Sequence, residues 1–533
     1  MEGTTACFHI PLQPGEKRQI PVSFSLREKD PGLEEPKTKA QPDFKDIQTR
    51  LQDASDRCLS CETEIRSDSL LLNRLMDRSL RDLHLLQTSI RGQKFFAAGV
   101  PWFVTLFGRD SIIASLQMLA YDRDIAPQTL RLLAHYQGQR RDPWRDEEPG
   151  KVMHELRVGE MARLNRIPQT PYYGTVDATP LFLILIARHA AWTGDLAFFH
   201  ELHPHIERAL AWVAASGDQN GDGYIGYQSS SKQGLINQGW KDSGDAIVNA
   251  DGSLAEPPIS LVEVQGYVYS AKVSLADLYE RAGEGERAQD LRREASELRV
   301  RFNRDFWMED QGFYALALQA HHAPTAVISS NPGQALWSGI VDAEKAQRTV
   351  QRLLARDMFN GWGIRTLSPQ EQRYNPIGYH LGTVWPHDNA LIASNFRRYG
   401  LDKEACKIFT AIAEAAMYFE HYRLPEVFAG FCREDYGVPV RYPVACHPQA
   451  WAAGTIPYLV ETLLGLVPEA FDKRLRIVRP VLPGFVDRLE LRQLRVGRAR
   501  ADLSFRRTSQ GSVSVEVLHV TGSLDVVVED GTS

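Results

Sequence analysis

Between about residues 50 and 468 the sequence alternates two kinds of helical pattern, six of each, and few folds accommodate that alternation. One kind falls at roughly 71–90, 126–138, 197–216, 285–303, 343–356 and 402–419. It sets apolar residues three and four apart against Arg and Glu, the pattern of a helix with one wet face. The other kind is apolar over most of its surface and begins after Asp110, Asp177, Glu263, Asn331-Pro332-Gly333, Asp388 and His447-Pro448, so it has to be buried. Buried and surface helices in strict alternation predict a mainly α fold, an (α/α)6 toroid of six inner helices ringed by six outer ones. The structural alternative is a solenoid of helical hairpins, which would repeat at a fixed short period; the starts here are unevenly spaced.

The flanks differ in pattern. Residues 1–30 alternate in polarity around Pro14-Gly15, as a β-hairpin would, and read as the end of a β domain. Residues 31–48, rich in Glu, Lys, Asp and Pro, read as an exposed linker. The helical body is expected over 49–468, and 469–533 return to alternating strands, a small β appendage that packs on the body, alongside the N-terminal hairpin or without it.

In a ring of alternating helices all inner N-termini lie at one end, so the turns entering them share one face. Those turns are rich in aromatics and acids: Trp102 with Arg109-Asp110, Tyr173 with Asp177, Glu263 with Gln265, and Trp385 with His387-Asp388. They predict a bowl of flat rings and hydrogen-bonding carboxylates suited to a sugar. For Asp110, Asp177 and Asp388 taken singly, helix N-capping is the simpler role. Capping does not explain the adjoining Arg, Tyr and Trp.

Near the middle of the chain, Gln238-Gly239-Trp240-Lys241-Asp242-Ser243-Gly244-Asp245 sets a carboxylate beside a large aromatic face. Apolar surroundings disfavour an ionised carboxylate, so Asp242 could hold a proton near neutral pH and deliver it to a glycosidic oxygen. Asp245, three residues on, competes for that role, and a plain polar turn is the alternative for both. Hydrolysis needs a second carboxylate across the cleft. Glu426, behind Pro425 and between the last outer and last inner helices, is the candidate, with a plain surface loop acid as the alternative.

These segments resemble the glucosidase half of glycogen debranching enzymes, the amylo-α-1,6-glucosidases, with relatives among glucoamylases and the inverting α-glucosidases of family 63. Gly239-Trp240-Lys241-Asp242 is similar to that family's Trp-x-Asp general-acid motif, and Val262-Glu263-Val264-Gln265, with Tyr267 and Tyr269, to the segment that follows it. Leu424-Pro425-Glu426 is similar to its general-base loop, and Phe107-Gly108-Arg109-Asp110 to the Arg-Asp pair that grips the terminal sugar. The resemblance spans roughly residues 95–465 and implies release of glucose from α-linkages, α-1,6 branch points of glycogen-like glucans among them. It implies inversion, with Asp242 as acid and Glu426 as base about 6.5–9.5 Å apart. Arg109 and Asp110 would hold the sugar, walled by Trp240, Trp385 and Tyr173. Gly244 departs from the resemblance, since a bulky aromatic is expected there in bacterial relatives, and this bears on the shape of the leaving-group subsite.

Two other classes remain: a carbohydrate-binding protein on the same toroid, and a phosphorylase that replaces the activated water with phosphate. The formal net charge of -6 gives no footing for nucleic acid, and no apolar run approaches the roughly 18 residues of a membrane span. No secretory signal is visible at the N-terminus, which points to a cytoplasmic location. Cys58 and Cys61 form a lone C-x-x-C without a second pair, so all six cysteines are expected as thiols and no cofactor is implied. Asp218-Gln219-Asn220-Gly221-Asp222 begins like a calcium loop, but Ser229 stands where its closing Glu belongs, and a Gly-Asp turn is the expectation. No metal is assigned.

Overall fold

The computed structural model describes residues 9–18, 46–50, 63–215 and 221–529. The chain divides into two compact units, residues 1–58 and 59–533. In the first, Pro14-Gly15 forms the expected turn, with Gly15 at φ 85° and the Glu16 N–H donating to Gln13 O at 2.9 Å. No strand flanks this turn among residues 9–18, and the rest of the predicted hairpin lies outside the described residues, as do Cys58, Cys61 and Asp218 to Asn220.

The second unit is mostly helical. Its long helices are α1 (Leu70–Leu86), α2 (Gly108–Gln117), α3 (Ile125–His135), α4 (Ala178–Thr193), α5 (Leu196–Ala215) and α6 (Val262–Arg281), followed by α7 (Gly285–Asp305), α8 (Asn331–Ser338), α9 (Ala343–Leu353), α10 (Pro386–Arg398), α11 (Asp402–Ala416) and α12 (Thr455–Leu464). The two predicted helix types hold. In α4 every side chain from Leu181 to Ala187 is buried, whereas α9 buries Ala346, Thr349, Val350 and Leu353, one stripe at three- and four-residue spacing. Proline opens α8 and α10, and Gly194 and Gly339 close α4 and α8 in the left-handed region.

Packing follows the alternation. Each of α2, α4, α6, α8 and α10 lies against the next, α10 lies against α12, and α12 returns to α2. Around them α3, α5, α7, α9 and α11 each cover the inner helix that precedes them in sequence, and α1 covers α12. The last inner element is broken at Gly454 between a short turn, Ala450–Ala453, and α12. A Cβ there would lie 2.1 Å from Gln117 Oε1, so glycine admits the close approach of the chain's last inner element to its first.

The β structure is β1 (Glu64–Ser67), β2 (Leu466–Glu469), β3 (Arg474–Val478), β4 (Arg488–Val496), β5 (Ala499–Arg507), β6 (Val513–Thr521) and β7 (Asp525–Glu529), besides two- and four-residue strand pairs among the loops. One antiparallel sheet has the order β1-β4-β5-β6 and a second has the order β2-β3-β7, with β3 and β7 parallel. The expected boundaries therefore need correction. β1 falls within the span assigned to the helical body but pairs with β4, Glu64 opposite Arg492 and Ser67 opposite Leu489, so the C-terminal sheet draws its edge strand from ahead of the first helix. Among the described residues, no helix is long and apolar enough to cross a membrane.

Candidate active site

A cavity of about 140 Å³ at the N-terminal ends of α2 and α10 is lined by Arg109, Asp110, Asp242, Glu426, Trp240 and Trp385, together with Phe103, Phe107, His154, Glu155, Leu235, Tyr379, His380 and Trp451. Leu106–Phe107 pairs antiparallel with Glu155–Leu156, which fixes the entry to α2 and brings Glu155 and His154 to the same wall. A Cβ on Gly108 would lie 2.1 Å from Met153 O, so only glycine allows that pairing to run directly into the helix.

Arg109 is buried and divides its guanidinium between two carboxylates and a carbonyl. Nη1 donates to Asp177 Oδ2 at 3.0 Å and to Gly239 O at 2.9 Å, and Nη2 to Asp242 Oδ2 at 2.9 Å. Its Nε stands 4.0 Å from Asp110 Oδ2. Burial works against the charge, but Asp177, Asp242 and Asp110 together hold the Arg109 pKa above its ordinary value. One guanidinium cannot neutralise these acids and Glu426 as well, so at neutral pH the cluster is poised to keep a proton. Burial, opposed by Arg109, pushes Asp110 up to about 7. It also raises Asp242, against the pull of Arg109, with Asp177 adding to the rise.

Glu426 is held differently. Tyr379 Oη donates to Oε1 at 2.6 Å and the Cys446 N–H to Oε2 at 2.8 Å, so both carboxylate oxygens act as acceptors. Burial raises its pKa, and these two donors, which favour the ionised form, oppose the rise. The loop that carries it is tightly seated: a Cβ on Gly430 would lie 1.7 Å from Gly382 O. Gly430→Ala is therefore expected to cost about 1–3 kcal/mol through overpacking. Chemical denaturation measures it; unchanged stability would mean that the loop has room to shift.

The aromatic wall is continuous. Trp240 meets Trp385 edge-on with ring centroids 5.6 Å apart, His380 stacks on Trp385 at 5.0 Å, and His387 stacks on Trp451 at 3.9 Å. Burial holds His154, His380 and His387 well below the usual histidine range, so all three are neutral. Trp240 Nε1, Trp451 Nε1 and Arg109 Nε are buried and have no hydrogen-bond partner among the described residues. Such orphaned donors, grouped on one cavity wall, suit the hydroxyls of a ligand.

Several predicted contact residues do not line the cavity. Trp102 is 55% exposed, outside it, with Nε1 donating to Val444 O. Tyr173 turns to Tyr136 O at 2.7 Å, and Gln265 holds the Ile225 backbone. Lys241, next to Asp242 in sequence, points the other way and donates to Thr366 O at 2.7 Å. Burial lowers its pKa, and the buried acids Asp388 and Glu263 oppose the fall. Glu263 in turn bonds Asn331, and Asp388 bonds Gln334. His387 is the support beneath Trp451. Asp177 accepts from Arg109 and from Thr175 Oγ1, and so positions Arg109. Asp177 stands at the N-cap of α4 but makes no side-chain cap there, and Asp110 and Asp388 lie inside the first turns of α2 and α10, past the cap positions held by Phe107 and Trp385. Asp245 is exposed and Gly244 open to solvent, both outside the cavity.

Tyr379, His380, Trp451, His154 and Glu155 are not among the site residues expected from the sequence. The first two sit in the irregular segment before α10, and Trp451 lies one turn past the His447-Pro448 start that the pattern does mark. The calcium-loop residue Asp222 accepts the Tyr224 N–H and lies 3.3 Å from His322, while Ser229 bonds Asp146. No group of three or more His, Cys, Asp or Glu among the described residues is arranged to hold a metal ion. Cys406, Cys432 and Cys446 are free thiols.

The fold has solved counterparts at low identity. A GH78 family rhamnosidase of Bacillus sp. GL1 superposes with a TM-score of 0.61 at 15% identity, over 88% of this chain and 42% of its own. A structure named sialidase superposes at 0.64 and 13% identity, over 89% of this chain and 42% of its own. The GH63 mannosylglycerate hydrolase from Thermus thermophilus superposes at 0.52 and 17% identity, over 72% of this chain and 99% of its own. The chain thus spans less than half the length of the first two. None of the curated proteins matches the sequence. The family model described as the mannosylglycerate hydrolase MGH1-like glycoside hydrolase domain matches residues 107–431, which include the acids of the cavity. By that match the chain belongs to the MGH1-like glycoside hydrolases.

Proposed function

We propose that the protein is an inverting, exo-acting glycoside hydrolase that releases glucose from α-glucosidic linkages, with Asp242 as general acid and Glu426 as general base. The observation that carries this reading is the meeting of Asp242 and Glu426, from separate inter-helix loops, on the wall of one small cavity. We read the helices as a closed (α/α)6 toroid, with the catalytic unit made of the helices and their loops and the C-terminal sheets packed on it; the cyclic order of helix contacts supports this. A cavity of about 140 Å³ lies below the roughly 300–1,000 Å³ of ordinary ligand pockets, which suits one terminal sugar rather than a threaded chain.

The division of labour follows from the hydrogen bonds. Glu426 accepts on both oxygens and is set to stay ionised, as a base for water must be. Asp242 uses only Oδ2 on Arg109, its pKa is raised, and Oδ1 is left to carry the proton to the leaving oxygen. Asp110, its pKa pushed up to about 7 by burial, can donate to a sugar hydroxyl when protonated and accept from one when ionised. A small aglycone is the second reading. The family model and the near-complete coverage of the Thermus enzyme favour a glycoside of a small hydroxy acid, of the mannosylglycerate type.

Product analysis with isomaltose, panose, branched limit dextrin, maltose, trehalose, mannosylglycerate and glucosylglycerate separates these readings. Glucose release from the first four supports the primary one, and cleavage confined to the glycerates replaces it with the second. Binding without turnover on every member, or turnover that needs inorganic phosphate, overturns hydrolysis.

The activity should follow a bell-shaped pH profile. Activity falls on the acid side as Glu426 takes up a proton, and that limb should lie above the ordinary glutamate value because burial raises Glu426. It falls on the alkaline side as Asp242 loses its proton. Tyr379→Phe removes a donor that favours ionised Glu426, so the acid limb of kcat/KM should move to higher pH. An unmoved limb would separate Glu426 from the base role.

A further inference from the structure

A second cavity, of about 600 Å³, lies at the opposite ends of the inner helices, among the last turns of α2, α4, α8, α10 and α12 and under the β2–β3 sheet. Its walls carry Arg188, Arg397, Arg398, Arg476 and Arg479 against a single acid, Glu461.

Arginines at helix C-termini usually have a structural task, since they offset the partial negative charge of the free carbonyls. Three of these five do have structural partners. Arg397 donates to Thr462 O and Val478 O and pairs with Asp402, Arg479 also pairs with Asp402, and Arg476 pairs with Glu529 and Glu469. Arg188 and Arg398 make no hydrogen bond and no ion pair among the described residues. Burial lowers the Arg398 pKa, and the neighbouring Arg188 lowers it further. Glu461 does not neutralise them. Burial pushes it up to about 8, against the pull of Arg188, and its Oε2 is buried without a hydrogen-bond partner. Two unpaired guanidiniums therefore face a protonated carboxyl in a cavity walled by Trp192, Trp337 and Tyr458.

We propose that this cavity, remote from the catalytic one, binds a phosphate group, either free or carried by a small sugar phosphate, between Arg188 and Arg398. A doubly charged oxyanion would balance the two uncompensated cations. Guanidiniums present paired N–H donors to such oxygens, and the neutral Glu461 carboxyl can donate one more hydrogen bond. The indole and phenol faces leave room for a ring attached to the phosphate.

The test is calorimetric titration of the whole chain with inorganic phosphate, with glucose 6-phosphate and with glucose, repeated on Arg188→Gln and Arg398→Gln. Both side chains reach solvent, so the variants should melt close to the parent. Binding of phosphate or of the sugar phosphate, but not of glucose, weakened about tenfold or more in each variant, supports the site. The tighter of the two anions identifies the source of the phosphate. Absence of heat with both anions in the parent protein up to about 10 mM overturns the proposal whatever the variants do. So does binding that survives both substitutions.

Discussion

Asp242→Asn is expected to lower kcat on an α-glucoside with a sugar leaving group by about a hundred- to ten-thousandfold, the usual range for loss of a general acid. The same variant should retain most of its activity on α-glucosyl fluoride, because fluoride departs without a proton. Glu426→Gln should lose activity on both substrates, since each needs a water deprotonated at the anomeric carbon. Steady-state kinetics on the two substrates separates acid from base. If Asp242→Asn lost the fluoride as completely as the glucoside, Asp242 would be doing something other than proton donation. The alkaline limb of the pH profile should also flatten in Asp242→Asn, because the group whose deprotonation produces it is gone.

Arg109→Met should have the second large effect, on stability as well as turnover. The guanidinium reaches Asp177, Asp242 and Gly239 O at once from a buried position. Its removal leaves buried acids without their cation, and breaking a buried pair in that way costs about 3–5 kcal/mol. Arg109→Lys keeps a charge but cannot reproduce the fork, so it should recover part of the stability and little of the activity. Urea unfolding of the three proteins measures the first effect. Equal stability across them would show that the buried acids do not depend on this cation, and Arg109 would then matter only to the substrate.

The helical body was legible because its signal is long and redundant. Inner α4 is an unbroken apolar run and outer α9 a charged surface with one apolar stripe, and no loop feature is needed to tell such helices apart. Arg109, Asp110, Trp240, Trp385, Asp242 and Glu426 were legible for another reason: each stands at the entry to an inner helix or in a loop opening on that end, and they do meet in one cavity. The same rule failed for Lys241, Glu263, Gln265, His387 and Asp388, because placing a residue on the right end does not fix which way its side chain turns. Lys241 follows Trp240 directly and faces the interior of the fold, where Asp388 and Glu263 attract it. Tyr379 and Trp451 were not legible, since an aromatic in an irregular segment has no periodicity to place it. β1 was hidden for a similar reason: four residues of alternation ahead of a helix do not reveal a partner strand more than four hundred residues downstream.

Hydrolysis as proposed is a single displacement at the anomeric carbon by a water that Glu426 activates. Proton NMR of the first product from an α-glucoside, recorded before mutarotation, tests it most directly. Inversion gives β-glucose as the initial product; initial release of α-glucose would rule out a single displacement.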